Sequence, residues 1–173
     1  ASVCGSLRSA GITAPIDVHL MVTDPAAYVA PFAKAGANVV TFHPETVADV
    51  PAMLDLITQH GMQAGLAFNP DQVVDIDEAW LPQLHMVLLM SVFPGFGGQS
   101  LIESVYDTIH DTKTWLGTKA PSVIVAVDGG VNLSNVQLLS QAGADFFVMG
   151  SALVSAEDYA AQVTHVRQLL SSP

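Results

Sequence analysis

Short apolar runs alternate with helical patterns along most of the chain. The apolar runs are four to eight residues long, which is typical of strands that are buried on both faces of a parallel sheet. Six strands are predicted, at about 16–22, 39–43, 63–68, 86–92, 123–128 and 146–150. Helical patterns are predicted at about 25–35, 47–60, 73–80, 101–116, 135–142 and 157–170. This alternation indicates an α/β fold with a parallel sheet.

A glycine recurs where a helical pattern ends and the next apolar run begins. Gly36, Gly61 and Gly143 all occupy this place. Each glycine suits the left-handed position just after a helix, where a Cβ atom would be costly. The repetition indicates βα modules arranged in series, the building unit of a parallel α/β barrel.

The length of the chain predicts six of the eight units of such a barrel. The 173 residues form one predicted domain, residues 1–173, with about 29 residues in each of six units, whereas a closed (β/α)8 barrel usually takes ~250 residues. Residues 2–8 resemble the tail of a helix that is already under way. We therefore expect that a leading β-α-β segment of roughly 50 residues, with the first two strands and the first helix, is missing from this chain.

The charge excludes several classes of partner. Sixteen Asp and Glu residues stand against five Lys and Arg, for a formal charge of −11, so no basic surface is expected for nucleic acid or anionic lipid. No apolar run of 18 residues and no signal-peptide profile occurs. The single cysteine, Cys4, cannot form an internal disulfide, which fits a reducing cytoplasm.

Three predicted strands lead into glycine-rich or hydroxyl-bearing loops at the edge where such barrels bind ligands. With so few cations, an anion would be bound mainly by backbone N–H groups, in glycine loops and at helix N-termini. A phosphorylated ligand is the natural occupant of three such loops. They contain Gly95, Phe96, Gly97 and Gly98, then Gly129 and Gly130, and finally Gly150 and Ser151.

Two side chains on predicted strands carry further chemistry. Asp128 ends an otherwise apolar strand, where an unpaired buried carboxylate would be expensive. His19 shares a strand face with Met21 by parity. A hydrogen-bonded core histidine is the alternative interpretation for His19, and structural hydrogen bonding is the one we favour for His43. An imidazole and a carboxylate suit a divalent metal, but two ligands make only half a site.

These segments together resemble the ribulose-phosphate 3-epimerase family, a family of metal-dependent barrel enzymes. The matching segments are DVHLMV at 17–22, TFHPE at 41–45, GLAFNP at 65–70, MSVFPGFGGQ at 90–99, VDGGV at 127–131 and GSA at 150–152. They run in order over nearly the whole chain. The resemblance implies a (β/α)8 TIM barrel of the ribulose-phosphate-binding type.

The resemblance also implies an isomerase that interconverts D-ribulose 5-phosphate and D-xylulose 5-phosphate. A proton is removed from C3 and returned on the opposite face through an enediolate, with one divalent metal ion such as Zn²⁺, Fe²⁺, Mn²⁺ or Co²⁺ stabilising the charge. His19 and Asp128 match metal ligands, and Asp128 also matches a catalytic acid–base. The substrate-binding positions that match are His19, Met21, Met90, Gly95, Phe96, Gly97, Gly98, Asp128, Gly129, Gly130, Gly150 and Ser151.

Two departures from the family pattern stand out. Phe93 replaces the polar residue that usually precedes the Pro-Gly-Phe-Gly-Gly run. The second departure is the absence of a His-x-Asp pair, which does not occur in these 173 residues. In the family, this pair supplies the other two metal ligands and the opposing acid–base group. We therefore expect the chain alone to be inactive and the complete gene product to be active.

Two other functions remain open. One is a 3-epimerase for a ketohexose 6-phosphate such as allulose 6-phosphate, which the same loops and metal would serve. The other is a non-catalytic phosphate-binding remnant of a barrel. By analogy with the family, we expect a homo-oligomer.

Overall fold

The computed structural model describes residues 1–171 and arranges six strands in one sheet, in the order β1-β2-β3-β4-β5-β6. The chain falls into two compact units. Unit 1 comprises residues 1–67 and 76–87, and unit 2 comprises residues 68–75 and the chain from 88 onward. No helix within residues 1–171 has the length and the apolarity needed to cross a lipid bilayer.

Unit 1 alternates helices and strands. Its elements are α1 (Ser2–Ser9), β1 (Asp17–Leu20), α2 (Ala26–Ala35), β2 (Val39–Phe42), a 3-10 turn (Pro44–Thr46), α3 (Val50–Gln59), most of β3 (Gln63–Phe68), a second 3-10 segment (Glu78–Gln83) and the first half of β4 (Leu84–Met90). Asp49 begins α3, because its carboxylate accepts a hydrogen bond from the Ala52 N–H at 3.0 Å and so satisfies a free donor of the first turn.

Unit 2 continues the same alternation. Its elements are the second half of β4, α4 (Val105–Lys119), β5 (Ile124–Asp128), α5 (Val136–Ala142), β6 (Phe146–Val148), α6 (Ser151–Val154) and α7 (Tyr159–Ser171). Strand β5 pairs with β6 in parallel, as β1 does with β2 and β2 with β3. The parallel sheet of βα modules predicted from the sequence is therefore confirmed.

The inner strands are buried on both faces. All four residues of β2 are buried, and in β3 only the first residue is exposed. Each fully buried Leu, Ile or Phe contributes about 1.5–3 kcal/mol of transfer free energy relative to an exposed one. The largest of these side chains are Phe42, Leu54, Ile57 and Leu66 in unit 1, and Leu88, Leu89, Ile109, Leu116 and Leu139 in unit 2.

The prediction of an α-helix at 73–80 is wrong. Residues 73–77 have no regular structure, Val73 is 84% exposed, and a 3-10 segment begins only at Glu78. The reason is local polar chemistry, since the Asp77 carboxylate accepts from the Ala79 N–H at 2.9 Å and so favours a turn over a helix interior. Helix α4 also begins at Val105, later than the predicted start at about 101.

Arg8, near the end of α1, donates hydrogen bonds to the loop that precedes β1 and to the loop that follows α2. Its guanidinium donates to the carbonyl oxygens of Ile12 and Ala14, each at 2.7 Å, to that of Gly36 at 2.9 Å, and to the Asn38 Oδ1 at 2.6 Å. Planar guanidinium groups can serve several acceptors at once. This one side chain therefore fixes the loop that leads into β1.

We predict that Arg8→Ala lowers the free energy of unfolding by about 2 kcal/mol, because four acceptors lose a charged donor, although three of these hydrogen bonds are exposed to solvent. Chemical denaturation measures this change. Arg167→Ala, on the exposed face of α7, is the control and should change the free energy of unfolding by less than about 0.5 kcal/mol. Equal effects of the two substitutions would contradict the role given to Arg8.

Candidate active site

The first part of the candidate site, in unit 1, is a pair of facing histidines. His19 lies on β1, and the parallel register pairs it with Thr41 of β2. His43 follows two residues after Thr41, so it is on the same face of the sheet. The Nε2 atoms of His19 and His43 lie 2.9 Å apart, and the rings are tilted by 31°. The hydrogen bonding predicted for His43 is confirmed.

This contact favours neutral imidazoles. One Nε2 must donate and the other accept, so a proton on both nitrogens would break the hydrogen bond. Burial lowers the pKa of His19 to about 4, and the neighbouring His43 contributes to this lowering. Burial also lowers the pKa of His43, against the opposing effect of Glu45, whose carboxylate lies 3.4 Å from the His43 Nδ1. The His19 Nδ1 is buried and has no hydrogen-bond partner within residues 1–171.

The second part of the candidate site, in unit 2, is the turn that follows β5. Ser91, fully buried, holds this turn: its N–H donates to the Asp128 carbonyl at 2.8 Å, and its hydroxyl bridges the carbonyls of Asp128 and Gly129 at 2.9 and 2.5 Å. Gly129 has a φ of +118°, and a Cβ atom there would lie 2.6 Å from Val92. The turn therefore requires both glycine and this serine.

The Asp128 carboxylate is partly withdrawn from water. Burial raises the pKa of Asp128, and a hydrogen bond from the Gly129 N–H opposes this shift in part. A carboxyl group with a raised pKa can both take up and release a proton nearer to neutral pH than an exposed aspartate can. The turn therefore presents a carboxyl group that is partly shielded from solvent.

An open cleft of 610 Å³ lies beside this turn within unit 2. None of the described residues that line it is Lys, Arg or His, and hydroxyl, amide and glycine groups predominate. The lining residues are Gly98, Gln99, Ser100, Leu101, Glu103, Tyr106, Gly130, Val131, Asn132, Asn135, Ser151, Ala152 and Ser155. An anion bound here would be held by neutral donors.

Side-chain amides hold the backbone at two edges of the cleft. Asn132 and Asn135 each donate from Nδ2 to the Gly130 carbonyl at 2.9 Å. Gln99 donates from Nε2 to the carbonyls of Phe93 and Phe96, at 2.8 and 2.9 Å. Helix α5 begins with Asn135 as its N-cap, without a side-chain capping bond.

The cleft brings together three of the sequence-predicted phosphate residues, namely Gly98, Gly130 and Ser151. The others lie in the same loops but do not line the cleft. Phe96 is 75% exposed, whereas Met90 is buried at the end of β4. In unit 1, Met21 directly follows β1 and is 65% exposed. Within residues 1–171, no group of three or more His, Cys, Asp or Glu side chains is arranged to hold a metal ion.

Sequence reasoning did not assign a site role to Ser91, Gln99, Asn132 or Asn135. All four act through their donors on backbone carbonyls, and such pairing depends on which loops the fold brings together. The only available signal was their position, because each lies inside or beside a glycine-rich loop. Polar side chains in such loops commonly bond to the local backbone.

The fold and the cleft define a class of protein: a parallel α/β protein with an open cleft lined by glycine-rich and hydroxyl-bearing loops, and a partly buried carboxylate in the adjoining turn. Residues 1–154 match the Ribulose-phosphate 3 epimerase family, and the chain belongs to this family. It is 44% identical over 157 residues to the ribulose-phosphate 3-epimerase of Serratia marcescens, covering 91% of this chain and 75% of the relative. The enzyme of Escherichia coli strain K12 is 43% identical over 169 residues, which cover 98% of this chain and 75% of the relative.

The fold is also similar to that of distant solved structures. KGPDC from Streptococcus mutans superposes with a TM-score of 0.72 at 16% identity, covering 97% of this chain and 77% of that chain. The 3-hexulose-6-phosphate synthase of Salmonella typhimurium superposes with a TM-score of 0.68 at 18% identity, covering 98% of this chain and 79% of that chain. At these identities, the likeness concerns the fold alone.

We predict that the metal-free protein loses stability as the pH falls from about 6.5 to about 4. His19 has a lower pKa in the folded state, so the unfolded chain takes up a proton first and is favoured as the pH falls. Below about 4 the folded chain takes up the same proton, and the loss due to this group is complete. The measurement is urea denaturation at a series of pH values.

His19→Gln is the matched control, because the carboxylates titrate equally in both proteins and only the imidazole is missing. The variant should lose less stability over this pH interval than the parent protein. Identical pH profiles for the two proteins would contradict the lowered pKa of His19.

Proposed function

We propose that the protein interconverts D-ribulose 5-phosphate and D-xylulose 5-phosphate, with the phosphate held in the cleft of unit 2. The proposal is supported chiefly by one turn, in which Asp128 and Gly130 are two residues apart. Gly130 lines the cleft, and Asp128 carries the carboxyl group whose pKa is raised by burial. Membership of the ribulose-phosphate 3-epimerase family supports the same reaction.

In this proposal, Asp128 acts as one of two acid–base groups. Its carboxylate oxygen takes the proton from C3 of one epimer, leaving an enediolate, and the second acid–base group gives a proton to the opposite face of C3. In the reverse direction, the Asp128 carboxylic acid returns its proton to C3. Burial raises the pKa of Asp128 in the metal-free protein, whereas a bound cation would favour the ionised carboxylate that accepts the C3 proton. The Ser91 hydroxyl keeps the Asp128 carbonyl in place, so the side chain begins from a fixed backbone.

A divalent metal ion is expected from the family, and the donor types present fit one. His19 offers a neutral imidazole with a buried nitrogen that has no partner within residues 1–171, and Asp128 offers a carboxylate. Such mixed nitrogen and oxygen donors suit Zn²⁺, Fe²⁺, Mn²⁺ or Co²⁺. When bound, the ion would stabilise negative charge on the substrate oxygens.

Met21 and Met90 are proposed to contact the substrate through thioether groups. These groups are polarizable and carry no acidic proton, so they would not protonate an enediolate. The remaining proposed phosphate positions, Gly95, Phe96, Gly97, Gly129 and Gly150, belong to loops that also contribute residues to the cleft.

We further propose that the βα units of residues 1–173 belong to a single (β/α)8 barrel domain, which the strand order and the similar folds support. A homo-oligomer and a cytoplasmic location also remain proposals. The first is supported by family analogy and the second by the single cysteine of the chain.

We predict that Asp128→Asn lowers epimerase turnover at least about hundredfold, because an amide cannot accept the C3 proton. The assay follows solvent deuterium entering C3 of D-ribulose 5-phosphate in the full-length protein supplied with Zn²⁺ or Mn²⁺. The variant should still bind inorganic phosphate with the affinity of the parent protein, since its glycine turn is unchanged.

Asp107→Asn is the matched control, because Asp107 is an exposed carboxylate on α4. It should retain full exchange activity. Deuterium exchange by Asp128→Asn at the rate of the parent protein would contradict the role of Asp128. Sugar phosphate binding without any exchange by the parent protein would favour a non-catalytic binding function.

A further inference from the structure

Two glycine-rich loops of unit 2 have the same unusual feature: their carbonyl oxygens are bound by side-chain amides. The Gly130 carbonyl accepts from both Asn132 and Asn135, so both of its lone-pair directions are used. Gln99 uses both hydrogens of its amide group, one on the Phe93 carbonyl and one on the Phe96 carbonyl. All three amide residues and Gly130 line the cleft.

Holding a carbonyl also fixes an N–H group. The peptide unit is planar and trans, so the N–H of the following residue points away from the C=O of the preceding one. The bound Gly130 carbonyl therefore sets the direction of the Val131 N–H, and the bound Phe96 carbonyl sets that of the Gly97 N–H. Val131 itself lines the cleft.

The orientation of the loop peptide groups affects anion binding more in this cleft than it would in a cleft lined by cationic side chains. Among the described residues that line it there is no Lys, Arg or His, and Glu103 adds a negative charge. A loop peptide that flipped would turn a carbonyl oxygen toward the dianion and replace an attraction by a repulsion. Gly130, with a φ of +64°, is a residue type that permits such flips, because glycine readily populates several backbone conformations.

We propose that Gln99, Asn132 and Asn135 are positioning residues for the phosphate dianion, which hold loop carbonyls away from the ligand so that the opposite N–H groups face it. This inference rests on the proposed function, since it takes the cleft to be the phosphate site. The ligand class is a phosphate monoester dianion, and the contacts that bind it come from the backbone.

The network around Asn135 explains why two asparagines are used. The Asn135 Oδ1 accepts from the Asn132 N–H at 2.8 Å, while the Asn132 Oδ1 accepts from the N–H and the hydroxyl of Ser134, at 2.9 and 2.6 Å. Both carboxamides are thus held at their oxygen ends, and both nitrogen ends are directed to the Gly130 carbonyl. A rotated amide would lose bonds at both ends.

The experiment measures the dissociation constants of inorganic phosphate and of D-ribulose 5-phosphate by calorimetry for the parent protein, Asn135→Ala and Gln99→Met. Each variant removes one side-chain amide that holds a loop carbonyl. If the less ordered loop costs about 1 kcal/mol of binding free energy, the dissociation constant rises by about a factor of five. We expect about fivefold weaker binding of both ligands in each variant, and a larger loss in the double variant Asn132→Ala/Asn135→Ala.

Gln99→Met keeps the proposal testable if the asparagine variants fold poorly. The methionine side chain has the length of glutamine, and residue 99 lies in a loop that is mostly exposed. A second readout follows from the kinetics of the full-length protein: KM should rise about fivefold while kcat changes less than about twofold, because these residues act on the phosphate and not on C3.

Two control variants separate positioning from stability. Gln83→Met removes a carboxamide in unit 1 that donates to the Asp55 carboxylate, and Arg8→Ala destabilises unit 1, which contributes no residue to the cleft. Both should bind phosphate like the parent protein, even where the melting temperature falls. Parallel losses of affinity in Arg8→Ala and in the cleft variants would overturn the proposal.

The outcomes also separate this inference from the proposed function. Binding of D-ribulose 5-phosphate by the parent protein, with unchanged affinity in all the cleft variants, would overturn the positioning role and leave the function standing. Failure of the parent protein to bind the sugar phosphate would overturn both. Selective weakening in the cleft variants supports both.

Discussion

A peptide group presents opposite charges at its two ends, and this constraint governs the candidate phosphate cleft. An anion is attracted to the N–H side and repelled by the C=O side, so a loop binds a dianion only when its peptides are held the right way round. Gly130 meets this condition through two amide donors on a single carbonyl. Gly130 permits the positive φ that the turn requires, and the two asparagines restrict the rotation of the peptide group that follows it.

The same constraint links the cleft to Asp128, the proposed acid–base group. Ser91 holds the carbonyls of Asp128 and Gly129, and the next carbonyl, that of Gly130, is held by the two asparagines. Three consecutive carbonyls are therefore fixed by side chains. The distance from the phosphate to the reacting carbon of a sugar is set by the sugar's own skeleton. In the proposed reaction, a rigid turn between Asp128 and Gly130 would therefore help to place C3 near the carboxylate.

The sequence predicted the strands and the glycine loops well, because both depend on local patterns. Strand β3 has the predicted bounds, and Gly36 and Gly143 end helices in the left-handed conformation. Prediction failed where partners are distant or where polar side chains compete with the helix. The contact between His19 and His43 depends on the register of two strands, and the helix predicted at 73–80 is replaced by turns around Asp77. Three of the loop residues predicted to bind phosphate line the cleft, but the side-chain donors that hold the loop carbonyls could not be predicted.

The acidic composition is consistent with the proposal that neutral groups bind the phosphate. The protein has five cationic side chains against sixteen acidic ones, and at least two of the five have structural partners. Arg8 serves three carbonyls and the Asn38 side chain, and Lys113 lies 2.6 Å from the Asp145 carboxylate. A cationic side chain in the cleft would attract the phosphate. In the ligand-free state it would also pair with nearby carboxylates such as Glu103, and breaking that pair would reduce its net contribution to the binding free energy. Backbone N–H groups carry no net charge, so neighbouring carboxylates compete with a bound dianion for them less strongly than they would for a cationic side chain.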